Sequence, residues 1–433
     1  MDYALAASHR QQLLAQMPDN SVALVYGHSE VTRSNDTEYR FRQDSDLFYL
    51  TGFNEPDCVL LLRKGQSPES ILFLRPRDEL MEIWHGRRLG VERAPAALGI
   101  DAAYSIDDIA TELPKLLNGA EVLLHRLGHS VREDALVSGA LTSLRGGLRQ
   151  GLTPIAQVQD LRTVLHELRL HKSAAEIDIL AKACQISADA HTRVMQLCRP
   201  GMFEYQLEAE LKHFSAMNGA LEMGYGTIVG GGDNACILHY TENDCELKDG
   251  ELVLIDAGAE YHGYTGDITR TFPINGKFSA EQKALYQIVL DAEKAAIAML
   301  KPGTTIKQAN DRVLEILVGG LVDLGIMQGE VSELIAAEAY KKFYMHGLGH
   351  WLGLDVHDVG DYYSPDRTRP LAKGMVLTIE PGLYIAPDAE VDPKWQGIGV
   401  RIEDNILITA DGHLNLTAAV VKEIADIEAL MAS

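Results

Sequence analysis

Short apolar runs separated by polar or helical stretches dominate the first part of the chain. The runs SVALVYG, CVLLLRKG, SILFLRP and AEVLLHR have the length and the branched side chains of buried strands. Strands that alternate with helical stretches are typical of a sheet with helices packed against it. We therefore predict an amino-terminal α/β domain over residues 1–172, and this stretch contains no convincing catalytic motif.

A helical pattern follows. The stretch that begins QDLRTV and ends QLCRPG predicts successive amphipathic helices, and its charged, proline-free part up to Lys172 predicts a linking helix before a second domain, residues 173–433. In that domain a helix ends at Pro-Gly twice, in CRPGMFEYQLEAEL and in LKPGTTIKQANDRV. Each copy precedes a β-rich stretch. The pattern fits an internal duplication and equally fits two unrelated helix ends.

Two aspartates are predicted to face each other on a β-hairpin. The segment ELVLIDAGAEYHGYTGDITRTF has an apolar run, a Gly/Tyr-rich turn and a Thr-rich run. With the turn centred on Tyr261 and His262, Asp256 and Asp267 would lie directly opposite one another, with Cβ atoms about 5 Å apart. Such a pair could hold cations jointly. The alternative is that each aspartate only forms a turn.

Three histidines occur in the glycine-rich segment FYMHGLGHWLGLDVHDVG. The spacing of His346 and His350 is that of a helical zinc site, but Gly347, Gly349 and Gly353 make a helix costly there. We predict an extended segment instead, with His346, His350 and His357 around one cleft. For each histidine alone, a hydrogen-bonded core position is the alternative.

Two β-rich segments each carry one glutamate among apolar neighbours. These are GMVLTIEPGLYIAP with Glu380 and GIGVRIEDNILIT with Glu403. An unpaired buried carboxylate is expensive, and a bound cation removes that cost. In a strand, Arg401 shares a face with Glu403, so Arg401 is predicted beside the metals as a substrate clamp or charge anchor. The alternative is a structural pair between Arg401 and Glu403.

Together these segments predict a hydrolytic site with two metal ions. The ligands would be Asp256, Asp267, His350, Glu380 and Glu403. Four carboxylates balance two divalent ions, and a water shared by two such ions becomes a nucleophile near neutral pH. One imidazole among hard oxygen ligands fits Mn²⁺ and tolerates Co²⁺ or Zn²⁺.

The overall composition narrows the choice of partners and compartment. Lys and Arg total 39 against 62 for Asp and Glu, a formal charge of −23, which argues against nucleic-acid or anionic-membrane partners. The five cysteines include no CxxC motif, which predicts free thiols and a cytoplasmic location. The start MDYALAASHRQQ and the later apolar runs predict neither a signal peptide nor a membrane span.

The motifs IDAG, GDITRTF, HGLGHWLG, TIEPG and RIEDN closely resemble the pita-bread metallopeptidases. In the amino-terminal part, FRQDSDLFYLTGFNEPDCVLLL and MEIWHGRRLG resemble the aminopeptidase P members rather than the shorter methionine aminopeptidases. The resemblance covers the whole chain. It implies a creatinase-like α/β domain followed by a pseudo-twofold pita-bread catalytic domain, with a curved antiparallel sheet flanked by helices and the metals between its halves.

The resemblance also implies an activity and the residues that carry it. The activity is that of an Xaa-Pro aminopeptidase, which cleaves between a peptide's first residue and a following proline with a hydroxide bridging two ions, most often Mn²⁺. Asp267 and Glu403 would bridge both ions, His350 and Glu380 would complete one site, and Asp256 the other. Glu380 would also relay a proton. The proline pocket and the tetrahedral intermediate would be served by His239, His346, His357, Tyr384 and Arg401.

Two further residues are assigned by the same resemblance. Arg367 would bind substrate from the loop GDYYSPDRTRP, which departs from the family pattern by an extra residue. Trp84 in EIWHGRRLG would reach the active-site mouth of a neighbouring subunit, which implies a homo-oligomer, a tetramer or a dimer. The alternative for Trp84 is a buried tryptophan with no such role.

Three other functions share the fold. A prolidase has the same ligands but accepts only dipeptides, and prolidase relatives can hydrolyse organophosphates; the amino-terminal segments here argue against it. Non-catalytic binding proteins built on this fold typically lack metal ligands, and here all five positions are filled. A metal-free creatinase-like hydrolase is disfavoured for the same reason.

Overall fold

The computed structural model of the protein describes residues 3–363 and 367–433. It divides into two compact units, Met1–Arg169 and Leu170–Ser433. The middle of the predicted substrate loop GDYYSPDRTRP, residues 364–366, lies outside the described residues.

A six-stranded sheet organises the first unit. Its strand order is β6-β5-β4-β1-β7-β8, and only β4 runs antiparallel to its neighbours. The elements are α1 (Tyr3–Gln16), β1 (Ser21–Tyr26), β2 (Thr32–Ser34), β3 (Thr37–Glu38), α2 (Ser45–Thr51), β4 (Val59–Arg63), β5 (Ser70–Leu74), α3 (Glu79–His85), α4 (Ala94–Leu98), β6 (Ala102–Ser105), α5 (Ile109–Leu117), β7 (Val122–Leu124), α6 (Val131–Gly146), β8 (Gln157–Gln159) and α7 (Arg162–Leu170), the last of which crosses the division.

The four predicted strands of this unit are confirmed as β1, β4, β5 and β7. Their apolar side chains are fully enclosed, as for Leu24, Leu61, Phe73 and Leu123, and they pack against α5 and α6. Burial on both faces explains why the runs are continuously apolar rather than alternating. The unit is thus the α/β domain that the pattern predicted.

The second unit contains helices and several small antiparallel sheets. Its elements are α8 (Ala174–Leu197), α9 (Glu204–Met217), β9 (Glu222–Met223), β10 (Ile228–Gly231), β11 (Leu252–Ala257), β12 (Ala259–Tyr261), β13 (Tyr264–Thr265), β14 (Ile268–Pro273), α10 (Ala280–Met299), α11 (Ile306–Asp323), α12 (Val331–Ala336), β15 (Val376–Ile379), β16 (Gly382–Ile385), β17 (Ile398–Arg401), β18 (Asp404–Ile408), β19 (His413–Asn415) and α13 (Ile424–Met431).

The repeated Pro-Gly pattern marks two equivalent helix pairs. α8 and α10 each begin with a capping box, formed by Ser173 and by Ser279. Each is followed by a left-handed glycine, Gly201 with φ 86° and Gly303 with φ 92°, before α9 or α11 starts. Three-stranded antiparallel sheets then follow both pairs, β10-β11-β14 after the first and β15-β18-β19 after the second. This arrangement matches the pseudo-twofold fold that the resemblance implied.

The register of the first hairpin corrects one prediction. Asp256 pairs with Thr269, not with Asp267, because the turn is centred on His262 and Gly263. Both turn residues have positive φ, 49° and 87°, as a two-residue hairpin turn that follows the strand twist requires. The prediction of directly opposite aspartates is therefore wrong. Asp267 is a diagonal neighbour of Asp256 on the same face.

The two strand groups join along β14. The amide of Glu403 donates to the carbonyl of Thr269 at 3.0 Å, and the Thr271 hydroxyl donates to the carbonyl of Arg401 at 3.0 Å. The predicted metal ligands of both halves thereby face one another.

Among the described residues, no helix combines the length and the apolar character that a membrane span requires.

The histidine segment is extended, as predicted. The amide of Thr378 donates to the carbonyl of His350, and that of Leu352 to Val376, so the segment runs beside β15. A Cβ on Gly349 would lie 1.9 Å from the Thr378 carbonyl oxygen, so only glycine fits this approach.

Candidate active site

A cavity of about 560 Å³ in the second unit brings most of the predicted site residues together. Tyr384 lies directly behind its wall, in contact with His346. Trp84 belongs to the first unit. The predicted residues that line the cavity are His239, Asp256, Asp267, His346, His350, His357, Arg367, Glu380, Arg401 and Glu403.

Three predicted ligands form a cluster at the base of the cavity. Ligand atoms of Asp267, His350 and Glu403 all lie within 4.8 Å of one another. Asp267 precedes β14, Glu403 lies between β17 and β18, and His350 stands beside β15. Asp267 and Glu403 therefore sit where a strand begins or ends, and His350 is held beside them by its hydrogen bond with Thr378.

Asp256 and Glu380 border this cluster through different members of it. The hydroxyl of Tyr225 lies 2.6 Å from Asp256 Oδ1 and 2.5 Å from Asp267 Oδ1, so it spans the two aspartates. Glu380 Oε1 lies 3.4 Å from His350 Nε2. All five predicted ligands thus face one volume. Tyr225 was missed in the sequence, where its position between two glycines was the only signal.

The hydrogen bonds of His350 prepare it as a ligand. Its Nδ1 lies 3.0 Å from the carbonyl oxygen of Trp351, which can only accept, so Nδ1 carries the proton. Nε2 therefore points between Asp267 and Glu380, 3.4 Å from a carboxylate oxygen of each. Although burial opposes it, these two carboxylates raise the pKa of His350 to about 9. A cation at this point would replace that proton.

Two threonines orient the glutamates. The hydroxyl of Thr269 donates to Glu403 Oε2 at 2.6 Å, and that of Thr378 donates to Glu380 Oε1 at 3.1 Å. Thr269 accepts in turn from Arg401 Nε at 3.1 Å. Both carboxylates are consequently held in one orientation toward the cavity.

The crowding of carboxylates fits the site for cations. Burial and the neighbouring acids raise the pKa of Glu403 well above its ordinary value, and burial with Asp256 raises the pKa of Asp267. Burial also raises the pKa of Glu380 to about 7. Without metal, these carboxylates repel one another and therefore tend to hold protons. Bound divalent ions would neutralise the same repulsion in place of those protons.

Arg401 is anchored beside the ligands. Its Nη2 donates to Asp256 Oδ2 at 2.7 Å, so its carboxylate partner is Asp256 rather than the predicted alternative, Glu403. Burial raises the pKa of Asp256, but Arg401 and Tyr225 outweigh burial and bring that pKa below its ordinary value. Burial lowers the pKa of Arg401, but its neighbours Tyr384 and Asp256 outweigh burial and raise that pKa, so it is a fixed positive charge; its role as a substrate clamp or charge anchor stays a prediction.

A hydrogen-bonded chain runs from Arg401 to His346. Arg401 Nη1 donates to the Tyr384 hydroxyl at 3.0 Å, and that hydroxyl lies 2.7 Å from His346 Nε2. His346 Nδ1 is 2.8 Å from the carbonyl oxygen of Gly347, which accepts its proton. Burial and Arg401 lower the pKa of His346 to about 4. His346 is therefore neutral, and it receives a hydrogen bond through Tyr384.

The remaining cavity residues lie near the opening. His239 and His357 are exposed, and the His357 ring stands edge-on to the His350 ring at 4.4 Å. Arg367 donates to the carbonyl of Gly349 at 2.5 Å and stacks over Tyr362 at 4.8 Å. Arg367, the Tyr362 ring and two histidines thus line the cavity together.

Trp84 lies on α3 and is 75% exposed, so the alternative of a buried tryptophan is wrong. Two other apolar side chains of the same helix are exposed too, Leu80 at 65% and Ile83 at 77%. Three large apolar groups on one short exposed helix are typical of a contact surface.

Comparison with known proteins identifies the family. Residues 178–410 match the model of metallopeptidase family M24, and residues 6–125 match the aminopeptidase P amino-terminal domain. The Xaa-Pro aminopeptidase of Escherichia coli strain K12 is 55% identical over 98% of this chain and 96% of its own length. That of Haemophilus influenzae is 53% identical with the same shares.

Solved structures that resemble this chain belong to the same family. A zinc-substituted Escherichia coli aminopeptidase P in complex with product has a TM-score of 0.97 at 54% identity, over 100% of this chain and 98% of that one. Proline aminopeptidase P II from Yersinia pestis has a TM-score of 0.97 at 56% identity, over all of both chains. The chain therefore belongs to metallopeptidase family M24, as a hydrolase of the aminopeptidase P type.

Proposed function

We propose that this protein is an Xaa-Pro aminopeptidase that releases the first residue of peptides whose second residue is proline, and that it does so with two divalent ions. The observation that carries the proposal is the cluster of Asp267, His350 and Glu403, bordered by Asp256 and Glu380. Full-length relatives at 55% and 53% identity are Xaa-Pro aminopeptidases, which supports the specificity.

The five clustered residues would hold the ions. As the family resemblance implies, Asp267 and Glu403 would contact both ions, Asp256 would complete one site, and His350 with Glu380 would complete the other. Two bound ions would polarise the scissile carbonyl and lower the pKa of a water between them. Four hard carboxylates with one imidazole favour Mn²⁺, with Co²⁺ and Zn²⁺ as substitutes.

Glu380 is the proposed proton relay. Its carboxylate is oriented by Thr378, and without metal burial raises its pKa to about 7, so it is a candidate to take up and pass on a proton. It would accept the proton from the attacking water and deliver it to the nitrogen of the leaving proline. This nitrogen must be protonated, because an amide anion does not leave.

The histidines and Arg401 would bind and orient the peptide. His239 and His357 are exposed in the cavity, where they can donate to the scissile carbonyl and to the developing oxyanion. His346 and Arg401 line the cavity and are hydrogen-bonded to Tyr384 behind them, so a proline ring can pack against this held wall. Arg367 at the opening is placed to receive the carboxylate of a short peptide.

The protein is further proposed to act as a cytoplasmic homo-oligomer, a tetramer or a dimer. The exposed apolar face of α3, formed by Leu80, Ile83 and Trp84, supports an assembly. The formal charge of −23 argues against nucleic-acid partners.

The activity is tested by offering Arg-Pro-Pro and Gly-Pro to the Mn²⁺-loaded protein in parallel, with release of the first residue as the readout. We expect cleavage of the tripeptide. Cleavage of Gly-Pro alone would make the protein a prolidase, for which an organophosphate side activity would be assayed next. Cleavage of neither substrate would reject both and favour a binding protein.

A further inference from the structure

A buried ion pair lies immediately behind the loop that carries His357. Lys172 Nζ donates to Asp358 Oδ2 at 2.8 Å, and both side chains are only 1% exposed. Asp358 is the next residue after His357, which is exposed and lines the cavity. Ions removed from water to this degree are costly, so the surrounding chain must specify their position.

We infer that Lys172 and Asp358 are positioning residues that hold the His357 imidazole in the cavity. The inference rests on the proposed function, in which His357 contacts the substrate. His357 lines the cavity. Among the described residues, Lys172 and Asp358 are not part of the cavity lining. The pair therefore acts on the reaction only through the loop.

The loop is closed at its base by main-chain hydrogen bonds. The amide of Asp358 donates to the carbonyl of Trp351 at 2.8 Å, which brings the two ends together. The amide of Thr265 donates to the carbonyl of Gly353 at 3.0 Å and ties the loop to the hairpin of Asp267. Because His350 directly precedes Trp351, this closure sets the edge-on contact of the His350 and His357 rings.

Lys172 is itself fixed at the other end. Its amide donates at 2.9 Å to the carbonyl of Gly374, whose amide donates to Ile408 at 3.0 Å. A Cβ on Gly353 would lie 2.2 Å from Asp358 Oδ2 and 2.9 Å from Lys172 Cε. The ion pair therefore packs directly against the glycine backbone of the loop. The lysine stem thus connects the turn before β15 to the residue after His357.

A double-mutant cycle tests the inference. Lys172→Met and Asp358→Asn keep the approximate shape of each side chain, and each is made in the wild-type and in the His357→Ala background. Rates are measured on Arg-Pro-Pro well below the melting temperature of each protein. We expect each substitution to lower kcat/KM about tenfold or more in the wild type, since small misplacements are costly. In the His357→Ala background the further loss should be less than about twofold, because coupled residues are not additive.

A purely structural ion pair predicts a different result. Each substitution would then lower kcat/KM by the same factor in both backgrounds, and that additivity would overturn the inference. If a single variant fails to fold, the double variant Lys172→Met with Asp358→Asn leaves no unpaired charge and enters the same cycle.

Two controls separate the inference from the proposed function. Asp46→Asn removes another buried carboxylate, which pairs with Arg169 at 2.7 Å in the first unit, and we expect lower stability with kcat/KM unchanged. An equal loss of kcat/KM for this control would also overturn the inference.

The second control is to assay the wild type and the His357→Ala variant first. An inactive wild type rejects the Xaa-Pro activity, and a fully active His357→Ala variant rejects the role of His357. Either result overturns the inference too, and is recognised before the pair is altered.

Discussion

Glu380 shows how one side chain acquires two properties at once. It borders the ligand cluster, 3.4 Å from His350 Nε2, and without metal burial raises its pKa to about 7. As proposed above, this carboxylate would take the proton of the attacking water and pass it to the leaving nitrogen. The expected consequence of Glu380→Ala is therefore a loss of kcat by a factor of about 10² to 10⁴ or more.

The assay for this variant uses Arg-Pro-Pro after metal content has been measured. Glu390→Ala, which removes an exposed glutamate of the same unit, should remain fully active. Normal turnover by a correctly metallated Glu380→Ala protein would reject the proton relay.

The raised pKa of His350 predicts that metal binding depends on pH. Its pKa of about 9 without metal means that the imidazole is protonated at pH 7, whereas a ligand must offer Nε2 unprotonated. Binding must then release this proton, so the apparent affinity rises as the pH increases from 6 toward 9. Calorimetry at pH 7 in buffers of different ionisation enthalpy measures the release. A binding heat independent of the buffer would contradict the assignment.

Among individual residues, the sequence identified those whose chemistry is visible locally. Glu380 and Glu403 were predicted because a carboxylate among apolar neighbours needs a partner, and Asp256 and Asp267 because one hairpin places them on the same face. Tyr225 was not found, because its contact with both aspartates arises only when β11 and β14 pair and the preceding chain folds over them. No sequence motif around Tyr225 indicates that contact.

At the scale of elements, the hairpin shows where sequence reasoning fails. Its strands and its approximate turn were predicted, but the register was wrong because His262 unexpectedly takes a left-handed conformation next to Gly263. In a two-residue turn, a shift of the centre by one residue moves every strand pair by two. The aspartates stayed on one face, and the prediction of a shared site survived.

The corrected turn makes a stability prediction. Gly263 has φ 87°, which alanine adopts only at a cost of about 1–2 kcal/mol, so Gly263→Ala should lower the melting temperature. His262→Asn at the neighbouring position should be neutral or stabilising, because asparagine tolerates positive φ. Thermal melts of both variants check this. An unchanged melting temperature for Gly263→Ala would argue against the turn.

Helices were predicted more reliably than sheet partners. The helical stretch beginning at QDLRTV became α7 and α8, and the Pro-Gly repeats became matched helix ends. These signals are local, since caps and periodicity act within a few residues. The contact of β14 with the chain around Glu403 joins residues more than a hundred positions apart, and no local pattern specifies it.

At the scale of the molecule, α3 predicts assembly. Trp84, Ile83 and Leu80 are exposed together on one helix, and removing the largest of them should weaken an oligomer. We expect Trp84→Ala to shift the protein to a smaller species in light scattering and to lower its activity. Leu127→Ala, which removes an apolar side chain 60% exposed elsewhere in the same unit, should leave the assembly unchanged. A wild-type protein that is a fully active monomer would reject this role.

The dinuclear site is tested most directly by titrating metal-free protein with Mn²⁺ while recording bound metal per chain and cleavage of Arg-Pro-Pro in the same samples. The cluster of four carboxylates and one histidine predicts that activity rises with metal content and is complete at two ions per chain. Full activity in the metal-free protein, or at a single ion with no gain from a second, would contradict the two-metal account.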